Sequence, residues 1–294
     1  KTIAAQAETV WPAISSVIGC SPLELNSRIL DQEKFDVCIV MDAASSGVSE
    51  IIPSLTRAEQ LVVFGDPASA SPMDFSTIAL STSPDSTSRQ SFFDYASDAF
   101  GKTEINRSYR PEGQVLGEYL NKEFYGERLQ LGLTANQVLE KPNFEFVHIA
   151  QDNRATSTIE GATESADGEL RGVVQKVISH ARSNPEMSLT IASASKVHAE
   201  RIAKTLASES KTSPELSEFM QSHGREQLVV SSLAELNHRV SDRVIFSLGF
   251  ALTPEGRVKL NFGDLSGEAS GTNLANLIAT ARKQMTVISC ISSE

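Results

Sequence analysis

Residues 35–75 read FDVCIVMDAASSGVSEIIPSLTRAEQLVVFGDPASASPMDF, and this stretch decides the fold. It holds two apolar runs, FDVCIVMD and QLVVFGD, each ending in an aspartate. Neither run alternates polar with apolar residues, the pattern of strands covered on both faces in a parallel sheet. The segment 43–59 between them is long enough for one crossover helix. Asp42 and Asp66 are therefore expected side by side at the carboxyl edge of neighbouring strands, the edge where open α/β sheets bind ligands.

Outward from this stretch the pattern repeats. FEFVHIA (144–150), SLTIASAS (188–195), QLVVSS (227–232), RVIFSLGF (243–250) and MTVISCIS (285–292) read as further buried strands. Helical periodicity marks 114–125, 169–183, 196–210 and 273–284. Strands alternating with helices predict parallel βαβ units and an α/β fold. Near the start, SPLELNSRIL offers Ser21 as an N-cap, Pro22 at the first helical position and Glu24 at the third. The Ser/Thr/Pro-rich run after Phe75 and the polar segment 151–168 read as surface loops.

The chain has 294 residues, room for two domains, with 40% hydrophobic and 21% charged residues, a globular balance. No apolar run approaches the roughly 20 residues of a membrane helix, and no signal-peptide pattern is present. Three cysteines without metal spacing (Cys20, Cys38, Cys290) fit a reducing cytoplasm, with Cys38 and Cys290 inside strand runs. The opening Lys-Thr, without Met, suggests a processed chain or a piece cut from something longer. A net charge of −11 with no basic run argues against strong nucleic-acid binding. The five histidines (His148, His180, His198, His223, His238) show no ligand spacing and are expected to be structural or solvent-facing.

With these residues in place, 35–75 resembles motifs II and III of superfamily 1 helicases, in particular large bacterial helicase-related proteins. The likeness continues in order: NRSYRPEGQVLGEYLNKEFYGERLQ resembles the motif IV region, RVIFSLGFALTPEGRVKLNFGDLS the region around motif V, and TNLANLIATARKQMTVISC motif VI. The resemblance spans about residues 20–292. It implies a RecA-like, P-loop-NTPase-type fold: the C-terminal part of a first lobe (1–85, motifs II and III) and a complete second lobe (86–294, motifs IV to VI). It also implies vestigial nucleotide-binding positions at Asp42 (the Mg2+ position), Asp66, Arg110 and Arg282.

Phosphoryl transfer needs a phosphate cradle, Mg2+, a water-orienting group and arginines on the γ-phosphate. Where the family carries the water-orienting Glu, this chain has Ala43; where motif III carries Gln, it has Ser69; where motif VI carries its arginine finger, it has Thr280. The only GK[ST] match, Gly101-Lys102-Thr103, follows no buried strand and lies C-terminal to motif II, so it reads as a helix end followed by a loop. A true cradle would belong to sequence before Lys1. The expectation is a helicase-like module that does not hydrolyse ATP by itself and binds no cofactor. It would serve as an interaction or nucleic-acid-associated domain whose partners are the rest of a parent protein, another protein, or weakly held DNA or RNA. The alternative is the C-terminal half of an active, Mg-ATP-dependent DNA or RNA helicase motor.

Overall fold

The computed structural model describes residues 16–25, 34–72, 90–112, 114–132, 142–150, 164–221, 227–236, 238–253, 257–258 and 261–292. These belong to two compact units, residues 1–103 and 104–294. The Ser/Thr/Pro-rich run, where the lobe boundary after residue 85 is expected, falls almost wholly outside the described residues, as does most of 151–168.

In the first unit the two quoted runs form β1 (Phe35–Val40) and β2 (Ala58–Val63), paired in parallel with Val40 opposite Val63. Helix α1 (Val48–Leu55) connects them, as the spacing predicts. Helix α2 (Phe92–Phe100) follows, with Ser91 and Asp94 forming a capping box and Gly101 ending it at φ +75°. Gly101-Lys102-Thr103 is therefore a helix end running into a loop, and no phosphate cradle forms there. Near the start, residues 22–24 make one 3-10 turn, and the Ser21 hydroxyl makes no cap bond, contrary to the capping-box expectation.

The strands of this unit also differ from expectation. Val40, Ala43, Ile51 and Phe92 form the core, with Cys38, Leu61 and Val63 packed against it. Val37, Ile39 and Met41, which alternate with Cys38 and Val40, are 41%, 59% and 68% exposed. The pleat sends successive side chains to opposite faces, and the described residues cover only one of them.

The second unit begins with a short parallel pair, β3 (Arg107–Ser108) and β4 (Gln130–Leu131), flanking α3 (Gln114–Tyr125). A five-stranded, all-parallel sheet follows, in the order β5-β9-β8-β6-β7, where β5 is Phe144–His148, β6 Leu189–Ser193, β7 Leu228–Ser232, β8 Ser241–Ser247 and β9 Ala281–Ser289. Helices α4 (Asp167–Ser183), α5 (Lys196–Glu209), α6 (Pro214–Gln221) and α7 (Ser270–Thr280) complete it. Leu170, Val173 and Val177 of α4, Ile202 and Leu206 of α5 and Phe219 of α6 pack with Ile191, Ile245 and Ile288. On the other face Leu116 and Leu120 of α3 and Leu277 of α7 pack with Ala192, Val244 and Phe246. Covering both faces buries the whole of β6 and nearly all of β8, as their unbroken apolar runs require. Edge strand β5 departs from the expectation of burial: Phe144 and Phe146 are exposed.

The last helix also ends earlier than periodicity predicts. It stops at Thr280, whose hydroxyl donates to the Asn276 carbonyl (2.8 Å), and ARKQ joins β9 instead. Pairing with β8 draws these residues into the sheet, from Ala281 opposite Ser241 onward. Among the described residues no helix is long and apolar enough to cross a membrane.

The two-faced character of β1 has a direct test. Ile39→Ser should change stability by no more than about 0.5 kcal/mol, whereas Ile51→Ala, in the core beneath the same strand, should cost about 3 kcal/mol. Urea unfolding measures both, and equal costs would mean that β1 is buried on both faces.

Candidate functional site

At the carboxyl end of the first unit's strand pair, Asp42 and Asp66 follow β1 and β2 as the spacing predicts. Backbone hydrogen bonds from Phe64 N–H to Val40 O and from Ala43 N–H to Phe64 O, both 2.8 Å, hold the two exits together. Asp42 is exposed and left-handed, at φ +56°. Its carboxylate makes no cap bond to the following turn and accepts from Ser45 Oγ at 2.9 Å. Asp66 builds a turn: Oδ1 accepts from Ala68 N–H (3.1 Å) and Oδ2 from Ser69 Oγ (2.7 Å). Ala43, next in the chain, is wholly buried.

In the second unit the segments that carry Arg110 and Arg282 meet at the amino edge of the sheet. Glu112 N–H donates to the Arg282 carbonyl at 2.6 Å. The two arginines have different surroundings. Arg110 is exposed and precedes a cis peptide to Pro111. Arg282 is paired with Asp242, which also faces Lys283 at 3.1 Å. Burial works against the Asp242 carboxylate, but hydrogen bonds from Arg282, Lys283 and the Ser188 backbone outweigh it and hold its pKa at about 2. Thr280 is sealed in the core.

In the first unit one exposed carboxylate, Asp42, stands at the end of β1, and Asp66 and Ser69 are bound to each other. Among the described residues no group of three His, Cys, Asp or Glu side chains could hold a metal ion.

A constellation not anticipated from the sequence lies at the opposite, carboxyl edge of the five-stranded sheet. The chain leaves β6 for β7 on one side and returns to β8 on the other, so the topological switch falls between β6 and β8. Glu169, in the first turn of α4, reaches this point and is fully buried. Its Oε2 accepts from Ser247 Oγ (2.8 Å) and Gly249 N–H (2.7 Å), and its Oε1 from Cys290 N–H (2.8 Å). His198 of α5, also fully buried, lies 2.9 Å from Ser247 Oγ through Nε2 and 2.8 Å from Ser165 Oγ through Nδ1. Arg201 donates to the Ser165 carbonyl (2.6 Å) and pairs with Asp167.

Proton accounting fixes the direction of this chain of bonds. Ser247 donates to Glu169, so it accepts from His198 Nε2–H; Nδ1 then accepts from Ser165. An imidazole in this form cannot remove a proton from Ser247, and no solvent reaches the pair. The arrangement is a structural latch and not a nucleophile with its base. Desolvation, reinforced by Arg201, lowers the His198 pKa to about 4, so the ring is neutral at pH 7 and its 3.9 Å approach to Glu169 is no ion pair. Desolvation raises the Glu169 pKa against the pull of its three donors, and burial beside Glu169 raises the Cys290 thiol to about 12. Gly249 sits at φ +77°, where a Cβ would meet Ser193 Oγ at 2.8 Å, so the close approach to Glu169 requires glycine.

The signal for Glu169 was present in the sequence: it stands four and eight residues before Val173 and Val177, on the buried stripe of α4. No family model and no curated protein matches this chain.

Two experiments follow from these sites. At Asp42 the left-handed backbone, tolerated by Asp, Asn and Gly, should dominate over charge. Asp42→Ala is expected to cost about 1 kcal/mol, and Asp42→Asn and Asp42→Gly within about 0.5 kcal/mol of nothing. A loss in Asp42→Asn as large as in Asp42→Ala would show that the charge itself is held.

For His198 the folded pKa lies below the unfolded 6.5, so its stabilising contribution is present above pH 6.5 and lost as pH falls toward 4. The loss should approach roughly 3 kcal/mol, partly offset by Glu169, whose raised pKa favours the fold on acidification. His198→Gln should flatten the stability profile between these limits, and an unchanged slope would remove His198 as its source.

Proposed function

We propose that this protein is a helicase-like module of superfamily 1 type, built on RecA-like parallel sheets, that no longer hydrolyses ATP. It serves as an interaction or nucleic-acid-associated domain within a larger assembly. What carries the reading is the hydrogen bond from Glu112 N–H to the Arg282 carbonyl. It brings together the two segments, distant in sequence, that resemble motifs IV and VI, and whose arginines would have to converge on one phosphate in a working motor.

The state of those positions supports loss of hydrolysis. Arg282 spends its guanidinium on Asp242, Thr280 is buried, and Ala43 cannot orient a water. An arginine finger is worth about three to five powers of ten in rate, so its replacement by threonine is decisive even where other contacts survive. The chain carries an overall charge of −11 and no basic run, which favours protein partners over a phosphate backbone.

The test is made on the intact chain. Mg-ATP should leave the thermal melt unmoved, and phosphate release should equal the protein-free control. Fluorescence anisotropy with single-stranded DNA at physiological salt should show binding no tighter than micromolar, weakening steadily as salt is added. Hydrolysis that disappears in Asp42→Ala would favour the active motor half instead. Submicromolar DNA binding that resists salt would overturn the charge argument.

A further inference from the structure

On the α4 face of the five-stranded sheet, the inward positions Val147, Ile191, Ile245 and Ile288 belong to or pack against the apolar core. Two residues toward the amino edge on each of β5, β8 and β9, the same face presents Glu145, Arg243 and Thr286. With Gln284 of β9 and Lys176 and Ser179 of α4 they line a pocket of about 230 Å³. A polar row inside an otherwise apolar layer is costly unless its groups are partnered.

The partnering here is incomplete: besides the His180 Nδ1 acceptor, the open groups are donors. Each oxygen of the Glu145 carboxylate has a partner: Oε1 accepts from Lys176 Nζ (2.7 Å) and Oε2 from Thr286 Oγ1 (3.0 Å). The Lys176 bond holds Glu145 below the usual carboxylate range. Arg243 lies near enough to act on Glu145 and on His180 through its charge. Among the described residues, however, its guanidinium makes no hydrogen bond or ion pair, and neither does the Gln284 amide. Lys176 keeps donors beyond the one given to Glu145. His180 adds no charge at neutral pH, since burial lowers its pKa, and its Nε2 is engaged with the Met187 carbonyl at 2.9 Å.

Two cations against one carboxylate leave the lining with a surplus positive charge and a planar fork of open donors. We propose that this pocket binds a small oxyanion, a phosphate or a carboxylate, held bidentately by Arg243 and supported by Lys176 and Gln284. Arginine is the side chain whose geometry matches both groups. The volume lies below the roughly 300–1,000 Å³ of drug-sized sites, the scale of one compact anion. Glu145 has the supporting role of fixing Lys176, its own oxygens each engaged by Lys176 or Thr286. The proposal is independent of the helicase-like reading, and the pocket lining includes neither Arg282 nor Asp242.

The experiment titrates inorganic phosphate and, separately, malonate into the intact chain at low ionic strength, with calorimetry as the readout. Saturable one-to-one binding by at least one of them is expected. Saturation by phosphate alone identifies a phosphate site, and by malonate alone a carboxylate site. Arg243→Gln should weaken the binding by about tenfold or more, a 1.4 kcal/mol change or greater. Arg182→Gln, on the same helix as Lys176 but paired with Glu215 outside the pocket, should leave it unchanged. Lys176→Met carries the same expectation of weakening as Arg243→Gln and serves as the second variant, each scored only after its melt shows a folded chain. Absence of saturation by both anions in the millimolar range, or undiminished binding in both folded pocket variants, overturns the proposal.

Discussion

A single buried carboxylate organises the larger unit. Glu169 enters the carboxyl edge of the five-stranded sheet from the first turn of α4 and ties the exits of β8 and β9 together through Ser247, Gly249 and Cys290. A carboxylate with no exposed surface is tolerated only when its oxygens are filled, and here three donors fill them. The network built on these donors has structural consequences. Gly249 must be glycine, His198 must remain neutral, and Ser165 must turn its hydroxyl toward the ring. Removing any partner would leave an orphaned buried group, which costs more than the bond itself contributes. The network also sets the direction of a Ser-His pair at hydrogen-bond distance: its protons run toward Glu169 and it is closed to solvent.

The two edges of this sheet consequently have opposite characters. Open α/β sheets usually receive ligands at the carboxyl edge, at the point where strand order reverses. In this protein that point is occupied by the protein's own side chains. The polar groups with spare bonding capacity lie at the amino edge instead, on either side of the Asp242 cluster. There Arg282 and Lys283 converge on one aspartate, while the Arg243 guanidinium lines a pocket and makes no hydrogen bond or ion pair among the described residues. An arginine committed to an internal carboxylate is a structural group, and one with open donors is available to a ligand. The difference is set by which neighbour reaches it first.

The smaller unit shows the same logic in hydrophobic terms. Its strands are as apolar as those of the larger sheet, yet only the side facing α1 and α2 is filled among the described residues. Val37, Ile39 and Met41 face outward because strand geometry alternates regardless of composition.

Much of this was legible from the residues alone. Unbroken apolar runs separated by helical periodicity specified parallel strands with crossover helices, because only a sheet covered on both faces can bury such runs. The same reading placed Asp42 and Asp66 at neighbouring strand exits and dismissed Gly101-Lys102-Thr103 as a cradle, since that segment follows a helix and not a buried strand. What sequence could not supply is which buried groups find one another. Periodicity carried the last helix through Gln284, but long-range pairing with β8 pulled ARKQ into β9 and so put Arg282 beside Asp242. Glu169 carried a readable sign, its place on the apolar stripe of α4, but its partners come from β8, β9 and the loops after them. Local pattern fixes secondary structure because it depends on neighbours along the chain. Charge pairing, buried hydrogen bonds and pocket formation depend on neighbours across it, and only the tertiary structure decides those.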